Sequence, residues 1–359
     1  MTKHVPVTTL DRLPRFLRAT IVGGLPEAID RVSEAAPPSH RFLRRAWFGA
    51  ALQTYGGRAR TVIVEAESGP VLALPLRDVG PRVAGMAAIP GCFWPFRSFP
   101  VAQDAGVEAA EAALAGLPGT LRALRIGPVY DGDPAVTRLV EAARTGGWRI
   151  LDRRIGTSFV LDMAAARAEG TWPRNSTLRK NRFHEKHLAE HGALAWSFLS
   201  DADWPGAFDD LAAIEWTSWI ASRTDGRDAK FTRGGHGAFW RAAAADPVLA
   251  RMFRAALLTV DDKPAAFSFD IDAGDLKYAV ANSYDPQFAK HSPGKLLYYR
   301  NLVDALNRGI ARVDWGAGDS GYKRTIGAEE GPAIRDWLLL RPGASAALAP
   351  LIRLAWRAR

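Results

Sequence analysis

The clearest alternation of apolar and polar positions lies in residues 252–283. Three segments, "MFRAALLTV", "PAAFSFDID" and "DLKYAVANS", read as strands, with turns at Asp261-Asp262-Lys263 and Ala273-Gly274. In the middle segment Phe267, Phe269 and Ile271 fall on one side, and Ser268, Asp270 and Asp272 on the other. This spacing predicts an antiparallel meander with one buried face. A helix follows. Ser292 suits its N-cap and Pro293 its first position, and Gly309 is placed to end it. Leu296, Tyr299, Val303, Leu306 and Ile310 recur at helical spacing as one apolar stripe. The strand opening "VDWGAGDSGYKRTIG" comes next, running into a glycine-rich turn, and then the strand "AIRDWLLLR".

The first half has the same ingredients in a less regular form. Residues 1–40 read as a loosely ordered lead-in, and 41–55 as a helix. "ARTVIVEA" and "GPVLALPLRDV" read as paired strands, followed by a helix at 105–115 and a strand at 121–126. Asp133-Pro134 opens another helix, and "WRILDRR" is a further strand. Between the halves, "TWPRNSTLRKNRFHEKHL" is strongly basic and predicts a helix from Ser176. The fold class is therefore α/β (α+β), in two units because 359 residues exceed one ordinary core.

Composition narrows the function only slightly. The net charge of +9 favours anionic partners without choosing among phosphate cofactors, nucleic acid and acidic lipid. One cysteine, Cys92, excludes an intramolecular disulfide and suits a reducing compartment. The N-terminus has no apolar signal region, and no run is long enough to span a membrane, so a cytoplasmic location is expected. The apolar, basic tail "SAALAPLIRLAWRAR" either docks on its own domain or contacts a membrane peripherally. Twelve tryptophans read as core anchors or as the lining of a cleft.

Several constellations carry candidate chemistry, each with a plainer alternative. "AKHSPGK" places Lys290, His291, Ser292, Gly294 and Lys295 at a helix N-terminus, where free N–H groups favour phosphate. The same residues also make a routine Ser-Pro helix start. Glu215, beside Trp216 and Trp219, is a candidate base or a surface glutamate next to core tryptophans. Arg179 and Arg182 on the basic helix either contact substrate phosphate or form a solvated face. His184 and His187 lack zinc-site spacing, and no metal is expected. Cys92 has no histidine partner in sequence and reads as structural.

The run from Tyr284 to Gly327 resembles the C-terminal signature of GNAT-superfamily acyltransferases. It is most similar to the branch named for the cellulose-biosynthesis protein CelD, related to the Fem-type aminoacyl transferases. The residues carrying this are Tyr284-Asp285, Phe288-Ala289, Ser292-Pro293-Gly294, Asp314, Gly318-Asp319 and Tyr322-Lys323. Glu215, Ser218 and Trp219 resemble that branch's Glu-x-x-Ser-Trp-Lys helix, with Ile220 in place of the lysine. The resemblance implies two tandem GNAT-like domains, each a mixed, mostly antiparallel sheet flanked by helices. They divide into a degenerate domain at 1–160 and a catalytic domain at 161–359. It further implies that acyl-CoA, such as acetyl-CoA, is a co-substrate, with no permanently bound cofactor. The pantetheine would lie along strand 275–283, and the pyrophosphate at Ser292. The phosphate loop departs from the family pattern at His291 and Leu296. Asp319 would then orient or deprotonate the nucleophile, Tyr322 protonate the leaving group, and Lys323 hold a phosphate or an oxyanion; the plainer alternative is a glycine-rich turn with Asp314 and Asp319 paired to Lys323 and Arg324. Asp314 and Trp219 would border the acceptor.

Three functions follow from these readings. The first is transfer of an acyl group from acyl-CoA to an amine or hydroxyl of a small molecule or a glycan or lipid precursor. The second is aminoacyl transfer from charged tRNA. The third is a GNAT-like scaffold without activity. No DNA partner is expected.

Overall fold

The computed structural model describes residues 16–92, 94–218, 229–318 and 321–357. They build one sheet of twelve strands in the order β1-β2-β3-β4-β5-β12-β6-β11-β10-β9-β8-β7. The strands of the first half are β1 Arg18–Gly23, β2 Ala59–Ala66, β3 Gly69–Asp78, β4 Met86–Ala88 and β5 Ala123–Tyr130. Those of the second half are β7 Leu194–Leu199, β8 Phe253–Val260, β9 Lys263–Ala273, β10 Leu276–Tyr284 and β11 Arg312–Ala317. Two long strands, β6 Arg149–Asp162 and β12 Glu329–Leu340, join the halves.

Each half runs as an antiparallel ladder that ends in one parallel pair, β4 with β5 and β10 with β11. The seam between halves is an exchange. β12, from the end of the chain, pairs with β5 and β6; β6, from the first half, pairs with β11. The fold is thus mixed α/β with a mostly antiparallel sheet flanked by helices, arranged as two similar halves. Residue 160 lies inside β6, so the expected boundary falls within a strand of the seam.

Local chemistry sets the elements. Asp133 accepts from the N–H groups of Ala135 and Val136, which starts helix Pro134–Thr145 as its Asp-Pro pair predicts. Asp246 does the same for Pro247–Met252. One aromatic core lies across both halves. Trp47 of helix Arg45–Tyr55 packs edge-on to Phe239 and Trp240 of helix Gly237–Ala243, at 4.8 and 6.0 Å. Most large aromatics are core anchors, though Trp216 is exposed.

Four expectations change. Within the lead-in, residues 18–23 form edge strand β1 and Ala28–Ala35 a helix; residues 1–15 lie outside the description. Helix Pro293–Asn307 buries Leu296 and Tyr299 of the expected stripe, but the buried face is wider, with Leu297, Tyr298, Asn301, Leu302 and Ala305, and Val303 is exposed. Ser292 caps that helix with a left-handed backbone, φ 52°, and its side chain makes no capping bond. The polar side of the meander is also buried. Helix Pro293–Asn307 covers it, so Asp270 accepts from Asn301 at 2.6 Å and from Lys277 at 3.3 Å. Lys277 also reaches Asp272 at 2.7 Å, and Arg308 binds Asp272 from the helix at 2.6 Å. Charged residues fit beneath a helix because each is paired with an opposite charge.

Candidate functional site

β10 and β11 pair only over 276–278 and 312–314. Beyond that, β10 bulges against β9 at Ala279–Ala281, and the two strands separate. The wedge between them is a cavity of about 670 Å³. Ala281, Asn282 and Tyr284 line one wall, and Trp315 and Ala317 the other. Ser292, Gly294 and Lys295 close one end with the start of helix Pro293–Asn307, and Tyr322 and Lys323 border the opening from helix Tyr322–Ile326.

Glycine is required at two points. A Cβ on Gly294 would lie 2.9 Å from Asn282 Oδ1 and 3.0 Å from the Tyr284 ring. Bare backbone therefore faces the cavity at the helix start. Gly316 has φ +61°, and a Cβ there would come within 2.6 Å of the Trp94 ring. Trp94 is supplied by the first half, so the cavity is completed across the seam.

Its electrostatics are cationic at the helix end. Burial and Lys180 lower the pKa of Lys295, and burial with Lys180 and Lys295 lowers that of His184. His291 Nε2 lies 3.0 Å from His191 Nε2; burial, then His191 and Lys290, hold its pKa low. Deeper in the wall, the buried Tyr298 hydroxyl lies beside Trp315, with ring centres 5.7 Å apart. Tyr322 is 39% exposed, yet desolvation at the cavity edge, then the Asp270 charge, pushes its phenol up to about 12. A phenol in that state donates a proton and does not ionise near neutrality.

The predicted residues separate into groups. Ser292, Gly294, Lys295, Tyr322 and Lys323 meet at the cavity; His291 and Lys290 flank its cationic end. The Lys323 ammonium donates to the carbonyls of Trp315, Gly316 and Ala317 at 3.0, 3.3 and 3.2 Å, bracing the end of β11. Asp314 is buried on the other side of β11. Its Oδ1 accepts from Gly316 N at 2.6 Å and from the Tyr130 hydroxyl at 3.2 Å, and burial raises its pKa to about 6.

Glu215 is fully buried. Its two oxygens accept from Lys230 N and Phe231 N, both at 2.8 Å, and burial raises its pKa against the pull of those N–H groups. It fixes the segment that brings Lys230 to the cavity. Arg179 and Arg182 are exposed on helix Asn175–Leu188. Asp319 and Trp219 lie outside the described residues. Cys92 is buried, with its thiol pushed up to about 12, which suits a structural residue.

Sequence reasoning missed Trp94, Lys230, Asn282, Tyr284 and Tyr298 as wall residues. Asn282 was accessible to it, because it lies at the end of the strand expected to hold the donor. Trp94 gave no local signal, since only the seam brings it there.

A splayed parallel strand pair opening onto a helix start marks a known architecture. Residues 175–324 match the acetyltransferase (GNAT) domain family. None of the curated proteins matches the chain in sequence. Among solved structures, FemX aligns at TM-score 0.60 and 12% identity, covering 90% of this chain and 97% of its own. A conserved protein of unknown function from Bacteroides thetaiotaomicron aligns at 0.56 and 11%, covering 90% and 100%. L-PGS from Bacillus licheniformis aligns at 0.52 and 10%, covering 93% and 96%. At these identities the likeness is one of fold, and it extends over both halves. The GNAT match falls on the half that holds the cavity, from helix Asn175–Leu188 to Arg324.

Proposed function

We propose that the protein is an acyltransferase that binds an acyl-CoA, such as acetyl-CoA, in the wedge between β10 and β11. The acyl group then passes to an amine or hydroxyl. The observation that carries this is the opening of the wedge onto Gly294, where bare backbone and Lys295 meet the end of a polar-and-apolar slot. An elongated thioester with a phosphate terminus fits such a slot, its chain along β10 and its phosphates toward the helix start.

In this reading the acceptor attacks the thioester carbonyl carbon, the new C–N or C–O bond forms, and the C–S bond breaks. Tyr322 gives its proton to the departing thiolate, since its high pKa keeps the phenol protonated. Asp319 remains the proposed base for the acceptor's proton. Lys323 contributes by holding the end of β11 in place. Glu215 positions Lys230. Most of the rate then comes from holding donor and acceptor in line. The resemblance of Ser292-Pro293-Gly294 and Tyr322-Lys323 to the CelD-like branch supports, within this proposal, a small-molecule or envelope-precursor acceptor and action in the cytoplasm.

A second reading, aminoacyl transfer from charged tRNA, draws on exposed Arg179 and Arg182 of helix Asn175–Leu188, whose Lys180 acts on Lys295 at the cationic end of the cavity. Calorimetric titration with acetyl-CoA and coenzyme A, at two salt concentrations, separates them. Saturable micromolar binding to both is expected. Absence of binding to either, with salt-sensitive binding of charged tRNA, would favour the second reading.

A further inference from the structure

Helix Ala349–Arg357 is apolar on two faces, and among the described residues one of them is packed against the sheet. Ala349, Ile352 and Trp356 pack inward on Leu151, Leu338 and Leu340 of β6 and β12. The anchor is firm. Arg153 lies 4.4 Å from the centre of the Trp356 ring and donates to the Trp356 carbonyl at 3.1 Å, and Arg125 lies over the same ring at 5.2 Å. Both arginines are held in turn by buried Asp336.

The other face carries Leu351 and Leu354, 69 and 75% exposed, and Leu348 just before the helix is 53% exposed. A row of leucines this open is costly in water and marks an interaction surface. Its charge context is one-sided. After Asp336 the sequence has no acidic residue, whereas arginines stand at 341, 353, 357 and 359. Arg353 is exposed beside the leucines, and Arg149 is exposed at the neighbouring end of β6.

We infer that this helix docks the protein on an anionic lipid surface, lying in the plane of the interface with its leucines inserted and its arginines at the headgroups. A nine-residue helix is about 14 Å long, too short to cross a hydrocarbon core of about 30 Å. A second copy of the chain suits the face less well. One row of three leucines falls far short of the roughly 800 Å² per partner of a stable interface, and two arginine-only surfaces would repel. Along β6, Leu151 beneath the helix is seven residues from Ser158, which pairs with Ala317 at the cavity. The docking face is thus ~23 Å from the wedge along the strand and independent of its chemistry.

The test is co-sedimentation of the full chain with vesicles of phosphatidylcholine alone, and of phosphatidylcholine mixed equally with phosphatidylglycerol. Binding to the mixed vesicles is expected, with little to phosphatidylcholine alone. A variant with Leu351→Gln and Leu354→Gln keeps every charge and the inner face, so it should melt like the parent and bind about tenfold less or weaker. Tyr322→Phe should bind vesicles normally. Three results would overturn the inference: no binding by the parent at low salt; undiminished binding by the leucine variant, which would put the lipid contact elsewhere on the basic surface; or a dimer that the leucine variant breaks, with no vesicle binding.

Discussion

At the scale of single residues, burial sets the chemistry. The Asp314 carboxyl rises from its ordinary 3.8 to about 6 because β11 and the Tyr130 side enclose it. Between those values the folded protein keeps a proton that the unfolded chain has lost. Asp314 therefore makes stability fall as pH rises from about 4 to 6, by at most ~3 kcal/mol, and has no further effect above that. Asp314→Asn keeps an acceptor for Gly316 N and removes the titration. Denaturant melts of both proteins across this range should show the variant gaining on the parent as pH rises; a constant difference would show that Asp314 does not titrate there. Tyr322 is likewise pushed away from ionisation. Tyr322→Phe should lower kcat by about 100-fold or more with the KM for donor little changed, and the parent's rate should hold to at least pH 10. Steady-state kinetics with any accepted amine checks both.

At the scale of elements, the wedge depends on one helix start. Gly294→Val would put a branched side chain against Asn282 and Tyr284 and fill the end of the slot. Donor binding in the titration should be lost; the variant should still fold, because φ at this position needs no glycine, but melt below the parent, because Asn282 and Tyr284 must give way. Retained affinity would place the phosphates elsewhere. This element was legible in the sequence because its signals are local: Ser-Pro at the start, glycine beyond the end, and apolar spacing between. Its partner face was not. Ser268, Asp270 and Asp272 alternate identically whether they meet water or a helix, and only the Lys277 and Arg308 pairings distinguish the two. For the same reason the sequence leaves Glu215 open between a candidate base and a surface glutamate, and does not show that its carboxylate accepts from two backbone N–H groups of a segment fifteen and sixteen residues away. Helix Tyr322–Ile326 was also hidden, because "SGYKRTIG" carries glycines that suit a turn as well as a short helix.

At the scale of the molecule, the seam couples the halves. β12 closes the first half and β6 the second, and the Trp47–Trp240 core crosses between them. Neither half can shed the other without exposing a sheet edge and this core. Calorimetric unfolding should give one cooperative transition; two separate ones would mean that the halves fold independently. The same coupling brings Trp94 from the first half to the wall of a cavity built by the second. The strand order of the meander could be read from the chain, whereas the exchange could not, since it pairs segments with no local record of each other.

Amide hydrogen exchange with and without acetyl-CoA tests the central claim most directly, because it reads where a donor binds as well as whether it binds. The predicted result is slowed exchange in residues 279–284 and 294–298, the wall and the helix start of the wedge, with helix Ala349–Arg357 unchanged. Saturating ligand with no protection in those two segments, or with protection confined to other parts of the sheet, would contradict the assignment of the wedge as the acyl-donor site.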